Sequence, residues 1–259
     1  MLIAFAWGLV STSSLVVGAL IALRWRISHR RLGLIMAFGA GVLIGAVAYE
    51  LVQEAFELAG GAGIASGLIA GGLTFTFGNA LLQRPQTAHA AGADATTEAS
   101  HASVAGAPTL PSGRSTAVAI AVVFGAVLDG IPESTVLGLT LLDGQGVSIA
   151  MLAAVFVSNL PEAAAATSGL IEGGWSPFRV LRMWTVVALA CSVAAALGYG
   201  VLGEASDGVV AFVQAFAAGA ILTMLADTMM PEAYRDGGTY TGITTTLGFG
   251  LAFVLAELE

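Results

Sequence analysis

Seven carboxylates interrupt otherwise apolar stretches of the chain: Glu50, Glu54, Asp129, Glu133, Glu162, Asp227 and Glu232. Asp129 and Glu133 stand four residues apart, and Asn159 and Glu162 three apart, so each pair shares one face of a helix. Pro132, Pro161 and Pro231 each directly precede one of the glutamates. A proline removes a backbone donor, which frees the carbonyls of Leu128 and Val157 and predicts a local opening of both helices, with Gly130 adding flexibility. Carboxylates beside a free carbonyl are hard oxygen donors, the chemistry that holds a divalent cation.

The elements that must position these groups follow from composition. Of 259 residues, 57% are hydrophobic and only 10% charged, and mean hydropathy is +0.88. A soluble domain carries about 25% charged residues, so soluble, disordered and secreted disulfide-rich classes are excluded. Net charge −8 argues against nucleic acid as a partner, and the single Cys191 excludes an internal disulfide. The N-terminus lacks a basic region and a cleavage site, and reads as a retained first helix. The pattern predicts an all-α polytopic membrane protein, residues 1–259 forming one transmembrane domain. Eight spans are expected, at about 2–23, 33–57, 62–82, 116–141, 146–171, 178–202, 208–233 and 238–257. Small residues such as Gly39, Gly41, Gly45, Gly67, Gly71 and Gly72 permit close helix packing in lipid. The alternating short segments of a membrane β-barrel are absent.

Every base is arginine. Arg24, Arg26, Arg30, Arg31, Arg84, Arg114, Arg179, Arg182 and Arg235 all fall on one side of an eight-span chain, whereas Asp143, Glu204, Asp207, Glu257 and Glu259 lie on the other. The excess of arginine on the cytoplasmic side predicts a multi-pass protein of the cytoplasmic membrane with both termini outside. The polar residues 84–115 read as a flexible cytoplasmic loop, and His89, Asp94, Glu98 and His101 within it as scattered polar residues rather than a ligand cluster.

Two segments resemble each other. Residues 37–56 align without gaps to residues 215–234, with identity at Ala37, Phe38, Ala40, Gly41, Ala48, Glu54 and Ala55. Residues 123–134 and 155–163 share an apolar run ending in Pro-Glu. In the expected topology the paired spans run in opposite directions, so the chain contains inverted pseudo-repeats, an arrangement found in secondary transporters.

A carboxylate at the centre of a membrane helix costs about 2.5–3.5 kcal/mol even on insertion scales. No Arg, Lys or His lies near mid-membrane in the expected spans. The acids are therefore protonated or surround a cation, and their number favours a cation path. Glu50, Glu54, Asp227 and Glu232 read as pathway or gate residues.

At these residues the chain resembles the ZIP (Zrt/Irt-like protein) family of divalent-metal transporters, over essentially its full length. The family's fourth-helix motif, His-Asn-x-Pro-Glu-Gly, falls here on Asp129-Gly130-Ile131-Pro132-Glu133-Ser134. The fifth-helix motif falls on Asn159-Leu160-Pro161-Glu162-Ala163, and Asp227 precedes Pro231-Glu232. The resemblance implies a metal site of Asp129, Glu133, Asn159 and Glu162, a homodimer, flux of metal towards the cytoplasm, and one helix group moving against another. Asp129 replaces the usual histidine, and Gly130 cannot supply the usual asparagine side chain, which removes support for a second metal site. An all-oxygen set suits Mn²⁺, Mg²⁺ or Fe²⁺ on softness grounds, while Zn²⁺ also binds carboxylates well, and Cd²⁺ belongs to the same panel. The metal is the transported substrate, and no organic cofactor or enzymatic activity is implied. Two other readings of the same residues are a metal-binding sensor or scaffold without transport, and a proton-coupled transporter of another solute.

Overall fold

The computed structural model describes residues 1–25, 27–88, 114–142 and 146–258. These residues are almost wholly helical, with no strand among them. The helices are α1 (Leu2–Arg24), α2 (His29–Ala59), α3 (Gly61–Ala88), α4 (Arg114–Leu139), α5 (Ile149–Glu172), α6 (Pro177–Leu202), α7 (residues 207–237) and α8 (Thr241–Ala256). Six described stretches are long and apolar enough to cross a bilayer: Leu2–Arg24, His29–Ala59, Gly63–Leu81, Ile149–Glu172, Pro177–Leu202 and Asp207–Ala256. The chain is thus an all-α protein of multi-pass membrane type. The last stretch would reach about 75 Å if straight, at 1.5 Å per residue. Gly238, with φ 69°, divides it into α7 and α8.

Helix ends follow local chemistry. The Ser148 hydroxyl accepts from the Met151 backbone N–H at 3.0 Å and starts α5. Ser176 does the same for Arg179 at 3.3 Å, with Pro177 at the first position of α6. The expected spans stop short where polarity begins, yet α2 starts at His29 and includes Arg30 and Arg31, and α3 extends to Ala88. Positions 84–88 and 114–115 of the expected loop are therefore helical, and the rest of it, with His89, Asp94, Glu98 and His101, lies outside the described residues.

Helices approach through glycines, and the contacts reveal direction. In one group α1 runs against α6, with Gly8 on Ser192 and Ala195 and Gly200 on Met1. Within the same group α4 runs with α6, with Gly130 on Cys191 and Gly138 on Ala195. In the other group α2 runs with α8 and α3 with α7, while Gly33 at the start of α2 meets Asp236 and Gly237 at the end of α7. Helices α1, α4, α5 and α6 pack chiefly with one another, as do α2, α3, α7 and α8, and α2 against α5 is the main seam between the groups.

The repeat seen in the sequence is present in three dimensions. A Cβ at Gly71 of α3 would strike the Phe216 carbonyl and the Ala220 nitrogen of α7. One at Gly248 of α8 would strike the Phe38 carbonyl and the Val42 nitrogen of α2, the aligned residues. Reciprocally, Gly41 docks on Thr245 and its counterpart Gly219 on Leu68. Both helices widen to a π-helix at aligned positions, Val47–Gln53 in α2 and Leu225–Met229 in α7. Both then end at aligned left-handed glycines, Gly60 with φ 70° and Gly238 with φ 69°. Because α2 and α7 run in opposite directions, the repeat is inverted.

Candidate metal centre

The α5 helix is gripped on both sides of Pro161. Gly18 of α1 lies on the Leu160 carbonyl and Ala163, and Gly39 of α2 lies on Val157 and Ser158. A Cβ on Gly39 would sit 3.2 Å from the Val157 oxygen, one of the carbonyls that lacks a helical donor because a proline follows. The other end of α5 is tied to α6 by the Trp184 indole N–H donating to Thr167 Oγ1 at 2.9 Å, both buried. The α4 helix presses on α6 so closely that a Cβ at Gly130 would stand 2.7 Å from Cys191 Sγ. Cys191 therefore fills the space a longer side chain at position 130 would need.

Between these contacts sit the expected ligands. Glu133 is 1% exposed, and its Oε2 has no hydrogen-bond partner among the described residues. Asn159 is 4% exposed, and its Nδ2 is likewise without a partner. Buried polar atoms are nearly always paired, since each orphan costs about 1–3 kcal/mol. Asp129 and Glu162 are partly buried. The Glu162 carboxylate lies close enough to repel those of both Asp129 and Glu133. The structure thus brings the carboxylates of α4 and α5 into one apolar interior. Among the described residues, no three His, Cys, Asp or Glu side chains converge tightly enough to hold a single ion.

The gate residues divide. Glu50 lies in the π-turn of α2 and Glu54 directly after it, and both have interaction partners. Asp227 lies in the π-turn of α7 and is exposed. Glu232 is within repulsive reach of Glu162, which extends the line of carboxylates from α4 and α5 to α7.

Two expectations need correction. Pro132 and Pro161 do not interrupt their helices: α4 and α5 run through them as α-helix. The irregular turns lie in α2 and α7 instead, and Pro231 stands in the first turn of the α-helical segment that resumes after the π-turn. A helix packed on several sides keeps its course past a single missing donor, whereas a π-turn inserts a residue and shifts every following side chain. Secondly, the acids of the apolar stretches are not all without a basic partner. Arg235 Nη2 lies 3.3 Å from Glu232 Oε1, and its Nε 2.9 Å from Asp236 Oδ1. The i,i+3 spacing of Glu232 and Arg235 was the available signal. His29, which falls between the expected spans 2–23 and 33–57, is the first residue of α2.

Sequence reasoning passed over two features. The contact of Cys191 with Gly130 joins distant residues and had no local signal. Gln214 is 1% exposed in α7 with an unpartnered Oε1, and its signal was an amide in an apolar run.

No protein-family model and no curated protein matches this chain.

Proposed function

We propose that the chain is a divalent-cation transporter of the ZIP kind, moving metal towards the cytoplasm through a site made by Asp129, Glu133, Asn159 and Glu162. The observation that carries this reading is the Glu133 carboxylate, buried in an apolar interior with one oxygen unpartnered and two further carboxylates in repulsive range. A cation drawn to Glu133 offsets the repulsion from its neighbours, and the Asn159 side chain, one helical turn from Glu162, adds an oxygen donor of the same hard class.

In this reading the protein spans the cytoplasmic membrane eight times, both termini are outside, and two copies associate. Helix direction supports the count: α2 and α8 run together, as do α3 and α7 and α4 and α6, while α1 opposes α6. That is the parity of eight alternating spans. The nine arginines then face the cytoplasm. The cation sheds water at the acidic outer end, binds at the centre, and leaves past Glu232. The division into two helix groups joined along α2 and α5 supplies the bodies that move against each other.

The test is uptake of Mn²⁺, Zn²⁺, Fe²⁺, Co²⁺ and Cd²⁺ by purified protein in proteoliposomes, with Glu133→Gln and Glu162→Gln as controls. Saturable uptake lost in both variants is expected. Metal binding without flux would replace transport by a sensing role, and solute-dependent proton flux without metal flux would favour the proton-coupled alternative.

A further inference from the structure

We infer that Arg235 is a tethered counter-cation that occupies the inner end of the path and governs release of the transported ion. The inference rests on the proposed transport function. Three features carry it. First, Glu232 and Asp236 point inward, 13% and 12% exposed, whereas Arg235 covers them from the solvent side at 47% exposed. A single guanidinium thus bridges two shielded carboxylates, binding Asp236 through Nε at 2.9 Å and Nη2 at 3.4 Å. Secondly, Glu232 is the member of this pair that Glu162 senses, so the bridge closes the line of carboxylates rather than standing apart from it. Thirdly, the inverted repeat provides an internal control. Continuing the alignment by one residue pairs Arg235 with Glu57 of α2, which is exposed and accepts a hydrogen bond from Gln53. The same backbone position is acidic at one end and basic at the other.

An ion leaving the centre meets Glu232 already neutralised by Arg235. It binds there only by displacing the guanidinium, so it is not retained, and cytoplasmic metal is disfavoured from entering backwards. Arg235 acts through Glu232 and is a positioning residue.

The experiment uses the full chain in proteoliposomes and in detergent, with Mn²⁺ as probe. Arg235→Gln is expected to strengthen inhibition of uptake by lumenal Mn²⁺ about three- to fivefold, the effect of removing one ion pair of this exposure. The KM for external Mn²⁺ stays unchanged, a split that general misfolding does not produce. Arg235→Lys restores the parent behaviour, and Arg235→Gln combined with Glu232→Gln abolishes the gain. Equilibrium Mn²⁺ binding in detergent gives a readout independent of flux: Arg235→Gln gains affinity at the Glu232 site. If parent protein transports and Arg235→Gln alters neither lumenal inhibition nor binding, the inference falls while the transport reading stands. If no variant transports yet Arg235→Gln still gains Glu232-dependent affinity, the transport reading falls and the counter-cation role of Arg235 stands.

Discussion

The ends of α2 and α7 share a backbone and differ in chemistry. Both widen at aligned positions, both stop at a left-handed glycine, and each is docked at aligned residues by a glycine of the neighbouring helix. Yet Tyr49 faces Asp227 in the alignment, Gln53 faces Pro231, and Glu57 faces Arg235, while Glu54 and Glu232 coincide. Shape is duplicated because it is fixed by backbone contacts, where any added atom collides. Charge at the ends is set by side chains that reach outward and can diverge. An inverted pair of equal halves would make both ends alike; opposite charges at Glu57 and Arg235 make the two ends differ.

The largest expected effect breaks the shared backbone. Gly71→Val and Gly248→Val each drive a side chain into a partner carbonyl, and each is expected to cost about 3 kcal/mol, at the upper end of overpacking penalties. Equal losses in thermal or denaturant unfolding support the duplicated packing, and tolerance at one site alone breaks it. Next comes the centre, which belongs to neither end: Glu133→Ala is expected to reduce metal uptake at least tenfold with the fold retained, because a buried ligand and its charge are both lost. A smaller effect comes from making the ends alike. Glu57→Arg is expected to slow initial uptake severalfold at low ionic strength, and the difference should shrink towards ~1 M salt, where the screening length is about 3 Å. The smallest concerns Tyr49, whose ring lies 6.0 Å from Phe249 and 5.7 Å from Phe253. Tyr49→Leu is expected to lose about 0.5–1.5 kcal/mol of stability, the value of such ring pairs, and Tyr49→Phe almost none.

Much of this was legible beforehand because membrane helices are written in composition. The expected span 178–202 differs from α6 by one residue, since Ser176 and Pro177 mark its start and apolar side chains fill its length. The span at 33–57 misjudged both ends of α2, because His29, Arg30 and Arg31 are polar yet continue the helix from the Ser28 turn. The repeat was visible through Glu54 and Glu232, and the pairs Asp129–Glu133 and Asn159–Glu162 marked the residues proposed as ligands in α4 and α5. The prolines misled, since a missing donor is a local fact whereas a bend is decided by what packs around the helix.

The residues alone determined the all-helical membrane character, the internal repeat and the identity of the carboxylates within apolar runs, because these depend on residue type and spacing. Tertiary structure alone decided that the irregular turns fall in α2 and α7, that Cys191 fills the space beside Gly130, that Glu133 lies buried with an orphaned oxygen, and that Arg235 bridges Glu232 and Asp236 at one end of the carboxylate line. The physical reason is range. Hydropathy and spacing act within one helix, but burial, repulsion between carboxylates and the steric limit at a glycine exist only once distant segments meet.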